Sequence, residues 1–280
     1  MRIVESITPV SASPWLGLSG DWHGNLTHAL TAIRAFHQRG IEHALQLGDF
    51  GFIWSTERPN SGDLQLDEMN ALLDSLGMTL WIIDGNHENH ARIRELAADD
   101  SGIRFAHSRI RILPRGWRAT FPTGRVIAAL GGANSIDRYA RKPGIGWWSD
   151  EQIKEDDLAA LGTDPVDVLL SHDAPNDIPY LQLILRGNEK RWDPRGLAYA
   201  NAGQAQFQRG FLQVKPNLTV GWHYPLFVNQ TIERDGFTSR HVILDLDDRT
   251  AVSQAVLDTD TLELSFFRLD SAPVRHPQLR

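Results

Sequence analysis

Five apolar runs along the chain share one design: "WLGLSGD" (15–21), "HALQLGD" (43–49), "LWIIDGNH" (80–87), "DVLLSHD" (167–173) and "LTVGWH" (218–223). Each is hydrophobic on consecutive positions and then stops abruptly in polar residues. That pattern predicts short strands buried on both faces rather than strands with one wet side. Helical patterns separate the first three. Asn25 is placed to N-cap a helix through Ala29, Leu30, Ile33 and Phe36, ended by Gly40. Leu64, Leu66, Met69, Leu72, Leu73 and Leu76 mark a second helix, closed by Gly77. A βαβαβ opening of this kind predicts an α/β sheet with parallel strands.

Beyond residue 100 the pattern loosens. "IRIL", "WRATF" and "RVIAALGG" read as shorter strands, followed by a helix from about Asp150 to Leu161. The stretch "SHDAPNDIPYLQLILRGNEKRWDPRGLAYAN" is rich in Pro, Gly and Asn, which predicts a surface excursion or lid over 174–199. A helix near 202–213 leads into the 218–221 strand. "RHVILDLDD" and "TLELSFFRLD" then alternate like antiparallel strands. With no repeat, low-complexity tract or linker, residues 1–280 are expected to form a single domain.

Composition narrows the chemistry. Hydrophobic residues make up 41% and charged residues 22% of 280, enough for a sizeable core. A formal net charge of -7 argues against a partner as polyanionic as duplex nucleic acid, but not against a small phosphorylated one met in a cleft. Cysteine is absent, so disulfides and thiolate ligands are excluded and any metal must be held by nitrogen and oxygen. Glu5 and Pro9 interrupt the N-terminal stretch where a signal peptide needs an apolar run, and no later stretch is long enough to span a bilayer. A soluble, cytoplasmic protein with no membrane partner is the expectation; oligomeric state is not legible.

Every buried run delivers its polar residues at its C-terminal end. In open α/β sheets that edge is where ligands bind. Asp21, His23, Asp49, Asn86, His87, His172 and His223 are therefore expected to converge although they are scattered in sequence. Carboxylate, amide oxygen and imidazole are donors for divalent first-row metals. Their number exceeds the needs of one four-coordinate ion and suits two ions sharing a carboxylate.

"GDWHGN" (20–25), "GDFG" (48–51), "GNHE" (85–88) and "SHD" (171–173) resemble, in order, the blocks of calcineurin-like metallophosphoesterases. The resemblance covers residues 15 to about 225, and "GGANSIDRYARKPGIGWWSDE" is similar to a little-characterised bacterial and phage branch of that family. It implies a four-layer α/β/β/α sandwich with a dinuclear metal site at the C-terminal strand ends. Asp21, His23 and His223 would hold the first metal, Asn86 and His172 the second, and Asp49 would bridge. His87 would sit over the phosphate as catalytic acid or oxygen stabiliser. Two divalent cations are implied, manganese favoured, with iron, zinc or magnesium as alternatives. A metal-bound water has its pKa lowered towards ~7, which generates hydroxide for in-line attack on phosphorus.

Simpler readings compete residue by residue. Asp21 or Asp49 after a strand can cap the following helix, and an isolated His172 can be a hydrogen-bonded core residue. His28, His37 and His43 read as structural or solvated, while Asn89 and His90 begin the next helix. Asp84 and Glu88 are candidates for orienting the ligands or His87. Trp147 and Trp148, with Arg138, Arg141 and Lys142 before them, either stack a base and hold a phosphate or, the preferred account, pack the core beside a solvated loop.

Two departures from the family bear on function. The last block should read G-H-x-H, yet the chain has "VGWHYP" at 220–225, with Gly221 or Trp222 and Tyr224 where histidines stand elsewhere. One imidazole is missing, expected from the second metal. Protein phosphatases carry G-D-x-x-D-R-G at the second block, whereas "GDFGFIW" has Phe52 and Ile53 at the later Asp and Arg places. The expected activity is therefore a phosphodiesterase acting on a small or nucleotide-type diester. A phosphomonoesterase or nuclease on the same site, or a non-catalytic metal- or nucleotide-binding relative, are the alternatives.

Overall fold

Strand β1 (Trp15–Ser19) sends Leu16 and Leu18 to one face and Trp15 to the other, and all of these are buried. That is what consecutive apolar residues require: a sheet covered on both sides. The structure, a computed structural model, describes residues 9–54, 61–234, 236–247 and 250–270. Glu5, on which part of the signal-peptide reading rests, lies outside the described residues. Among the described residues no helix is long and apolar enough to cross a membrane.

β1, β2 (His43–Gln46) and β3 (Thr79–Ile82) pair in parallel, as the opening pattern predicts. Helix α1 (Leu26–Gln38) begins where Asn25 accepts a hydrogen bond from the His28 backbone N–H, and α2 (Ser61–Leu76) ends just before Gly77. Both lie on the outer face of the sheet. Phe36, Met69 and Leu73 pack there against Ala44, Leu80 and Ile82. A short helix α3 (His90–Glu95), N-capped by Asn89, leads to the edge hairpin of β4 (Arg104–His107) and β5 (Ile110–Ile112).

The chain then builds a second sheet from β6 (Arg118–Thr120), β7 (Val126–Leu130), β8 (Val168–Ser171), β9 (Leu218–Gly221), β10 (Val228–Arg234) and β11 (Phe237–Ile243). Strands β7, β8 and β9 are parallel, and β11 adds to β9 in parallel because the intervening hairpin places β10 at the edge. Finally β12 (Gln254–Asp258) and β13 (Leu264–Phe267) return to the first sheet, giving it the order β13-β12-β1-β2-β3-β5-β4. The two sheets face each other through one core: Leu16, Leu18, Leu45 and Trp81 from the first meet Ile127, Leu170, Val220 and Val242 from the second. Outside the second sheet lie α4 (Glu155–Leu161), α5 (Pro179–Asn188) and α6 (Pro194–Val214), with Leu158, Phe207 and Phe211 against Ala128, Leu130 and Leu169. The layers are α/β/β/α.

One helical expectation needs correction, and one expected excursion turns out to be largely helical. The helix expected from Asp150 starts at Glu155; Ser149–Glu151 is instead a single 3-10 turn with Glu151 turned inward. The expected excursion over 174–199 carries α5 and the first residues of α6. Pro179 and Pro194 stand at the first turns of those helices, where a missing N–H costs nothing. There proline starts a helix; it does not mark an irregular loop.

Candidate metal centre

The polar ends of β1, β2, β3, β8 and β9 meet at one edge of the two facing sheets. Getting them there demands unusual backbone. His23, Asp49 and His223 have φ values of 39°, 54° and 54°, a left-handed region that side chains other than glycine seldom adopt. Strain of this kind persists only where surrounding contacts over-determine it. Two glycines permit the close approach. A Cβ on Gly85 would collide with Asp49 Oδ1, and one on Gly48 would collide with His172 Nδ1.

Asp49 is the hub. Its Oδ1 accepts the His87 backbone N–H at 2.7 Å and lies 3.4 Å from His172 Nε2, while Oδ2 lies 3.9 Å from His23 Nε2. Asp21 Oδ2 is 2.9 Å from the same His23 nitrogen. Two groups of side chains bring ligand atoms within 4.8 Å of one another: His23 with Asp49 and His87, and Asp49 with His172 and His223. Asp49 belongs to both. From the sequence His223 is expected beside His23; in the structure its ring lies 4.9 Å from that of His172.

His172 and Asn86 are oriented by their neighbours. The Leu47 carbonyl, 2.9 Å from His172 Nδ1, accepts its N–H, which leaves Nε2 aimed at Asn86 Oδ1, also 2.9 Å away. Asn86 Nδ2 donates to Ser135 Oγ at 2.8 Å, and that hydroxyl donates to the buried Glu151 Oε2 at 2.6 Å. The Ser135 backbone N–H holds the other carboxylate oxygen at 2.9 Å. This chain fixes which way the Asn86 amide points. Ser135 and Glu151 escaped the sequence reading. Ser135 follows β7 in "GGANS", which carries the same signal of an apolar strand ending in polar residues.

The electrostatics fit a cation-binding hub. Burial pushes the Asp49 carboxyl up, but the charge and hydrogen bond of His172, with His87 and His23, outweigh it and hold Asp49 well below the usual carboxylate range. For His172 burial acts downward, and Asp49 with the Leu47 carbonyl lifts the imidazole to about 9. A cation held between Asp49 and His172 would take the place of that proton. Burial raises Asp21 to about 6, against the hydrogen bond from His23. Among the described residues its Oδ1 is buried without a hydrogen-bond partner, a lone pair of the kind a metal ion satisfies. The donor set is nitrogen and oxygen throughout, and it suits divalent cations.

Around this hub lie groups that position it. Glu88 Oε1 accepts the Phe50 backbone N–H at 2.6 Å and ties the loop carrying Asp49 to the one carrying His87; burial, then the charge of Asp49, pushes it up to about 8. Asp84 takes Arg115 Nη2 at 2.6 Å and Nε at 3.0 Å, and Arg115 also binds the carbonyls of Asp150 and Gln152. Arg115 thereby anchors the segment that carries Glu151. His87 receives Arg141 Nη2 at 2.6 Å on its Nε2. Burial pushes the His87 imidazole down to about 4; Asp49 opposes this and Arg141 reinforces it. His87 is therefore neutral.

The irregular block now has a physical meaning. Trp222 stands with its ring 5.7 Å from His23 and 5.6 Å from His172, and its indole N–H is spent on the Asp245 carbonyl at 3.0 Å. Tyr224 donates its hydroxyl to Asp173 Oδ1 at 2.9 Å. Trp222 walls the site and Tyr224 braces Asp173. His28 is buried beside Gln254, and His90 opens α3, away from the hub. Phe52 and Ile53 are buried in the core under α1 and α2.

No family profile matches the chain, and comparison with curated proteins finds no match. Solved structures match in fold. The protein TT1561 of Thermus thermophilus superposes with a TM-score of 0.54 at 11% identity, over 91% of this chain and 99% of the other. A dimetal phosphatase from Danio rerio gives a TM-score of 0.54 at 12% identity, over 92% of this chain and 97% of its own. The chain thus shares the α/β/β/α sandwich of these structures, and its His and Asp clusters fit divalent cations in chemistry and spacing.

Proposed function

We propose that the protein is a dinuclear metal-dependent phosphoesterase that hydrolyses a small phosphodiester. The observation that carries this reading is Asp49, one carboxylate shared by two clusters of ligand atoms. In this assignment Asp21, His23 and Asp49 hold one cation, and Asp49, Asn86, His172 and His223 hold the other. The imidazole missing from "VGWHYP" is then a shortage at the first cation, because His223 groups with His172. Manganese suits the mixture of imidazole and hard oxygen donors. Two divalent cations there would supply Lewis-acid polarisation of a phosphoryl oxygen and activation of water near neutral pH.

The chain's own residues do the rest. Asp49 holds the His87 backbone in place, and the His87 ring lines an open cavity next to His23. From there the neutral His87 ring meets a substrate oxygen and stabilises it by hydrogen bonding. A diester is favoured over a phosphoprotein because Phe52 and Ile53, at the places where protein phosphatases have Asp and Arg, are buried in the core and offer the phosphate nothing. The test compares bis(p-nitrophenyl) phosphate, p-nitrophenyl phosphate and single-stranded DNA on manganese-loaded protein. Preference for the first supports the reading; preference for the monoester or the nucleic acid replaces the substrate class.

A further inference from the structure

The segment between β7 and α4 covers the site, and its two adjacent tryptophans go separate ways. Trp147 turns inward: the Arg138 guanidinium lies 3.4 Å above its ring and Tyr199 packs at 6.4 Å. Trp148 instead meets Trp54, from the loop after β2, edge to face, with ring centroids 5.8 Å apart at 84°. Trp54 is 37% exposed and lines a cavity of ≈ 240 Å³ together with Gly51, His23 and His87. Trp54, with Trp148 packed against it, forms one end of this cavity, and the candidate metal centre forms the other.

Arg141 supplies the remaining feature. Its Nη2 donates to His87 while Nε is held by Asp137 at 2.8 Å. Nη2 also lies 3.2 Å from His87 Nδ1, and Nη1 reaches the Gly146 carbonyl only at 3.5 Å; with five donors in a planar fork, the Nη1 side keeps an N–H for an oxyanion beside His87. Indole walls accept either a flat π system or an organic cation. With Arg138, Arg141 and Lys142 on the same covering segment, a cationic ligand group meets like charge, and a neutral base does not.

We propose that Trp54 and Trp148 stack the nucleobase of a nucleotide-type phosphoester while Arg141 binds its phosphate beside His87. This rests on the phosphoesterase reading and specifies its substrate class. The distance between wall and metal centre is spanned by one cavity, so a single ligand touches both. Stacking on such a wall strengthens binding on the order of 10-fold per base and tolerates any base, because every base has a π face.

The test is equilibrium binding by calorimetry on the manganese-loaded full chain, with adenosine 5′-monophosphate, ribose 5-phosphate and phosphocholine as probes. The nucleotide is expected to bind about 10-fold tighter than ribose 5-phosphate, with phosphocholine no better than the sugar phosphate. Trp54→Ala and Trp148→Ala should erase the advantage of the base, and Trp148→Phe should retain most of it. Trp192→Ala, an exposed tryptophan on another segment, is the control. Arg141→Ala should weaken nucleotide and sugar phosphate alike. Equal affinity for nucleotide and sugar phosphate, a preference for phosphocholine, or nucleotide binding unchanged in folded Trp148→Phe and Trp148→Ala alike would overturn the proposal. If tryptophan-dependent nucleotide binding is found without diester hydrolysis, the subsite stands and the catalytic reading fails. If hydrolysis is found without preference for the base, the reverse holds.

Discussion

Asn86 and His172 meet between the two sheets: Asn86 follows β3, His172 follows β8, and Oδ1 of one lies 2.9 Å from Nε2 of the other. Neither is held by its own strand alone. Ser135 and Glu151 fix the amide from one side, and the Leu47 carbonyl fixes the imidazole from the other. Outer partners of metal ligands commonly set affinity by fixing ligand orientation.

Ser135→Ala removes the acceptor that points the Asn86 amide. Affinity for the second cation should fall ~10–100-fold, the usual worth of such a partner, with the first cation unaffected. Calorimetric manganese titrations of both proteins measure this. Identical isotherms would mean that Asn86 orients itself or is not a ligand.

Asp49→Asn should damage metal binding more than any other single change, because both clusters use this carboxylate. Metal analysis after dialysis should find the variant depleted at both sites, with the fold intact by circular dichroism. Two cations at full occupancy would show that Asp49 does not bridge.

His87→Ala should retain both cations and lose ~10²–10³-fold in rate, the range for removing one group that stabilises a reacting oxygen. Metal content and kcat measured on one preparation separate the outcomes. Metal loss in parallel with the rate would make His87 a ligand, a role that its grouping with His23 and Asp49 allows geometrically.

His241, on the outer face of the second sheet, predicts an acid-side loss of stability. Its ring is buried 5.2 Å from that of Phe211, and neither nitrogen has a hydrogen-bond partner among the described residues. Burial pushes it down to about 3, with Arg234 reinforcing and Asp177 opposing. In the unfolded chain the same histidine takes up a proton near pH ~6.5. The stabilisation is thus complete above ~6.5 and is lost as pH falls towards 3, at up to ~1.4 kcal/mol per pH unit. Urea melts across the acid range, compared with neutral pH, should show a shallower slope for His241→Phe than for the wild type. Parallel slopes would place the buried ring's proton uptake elsewhere.

Much of this was legible in the sequence, for identifiable reasons. The strands around the site are buried on both faces, so they appear as unbroken apolar runs, and their polar endings mark the edge where the candidate ligands gather. Asn25 and Gly77 bracket helices by capping chemistry that acts within a single helical turn. What escaped depends on longer range. Ser135 and Glu151 matter only because a 3-10 turn swings Glu151 inward, and nothing within "WWSDEQ" announces that turn. The α5–α6 region was disguised by Pro179 and Pro194, which signal a break and a helix start equally. His223 takes a left-handed backbone at φ 54°, which no local pattern encodes.

The central claim is that one carboxylate joins two cation sites, and the most direct test is manganese titration of chelator-stripped protein, followed in parallel by calorimetry and by hydrolysis of bis(p-nitrophenyl) phosphate. The account predicts no hydrolysis without metal and two sites of unequal affinity. The weaker is the one held by Asp21, His23 and Asp49, and activity should rise as it fills. Undiminished hydrolysis in metal-free protein, or a single site at saturation, would contradict it.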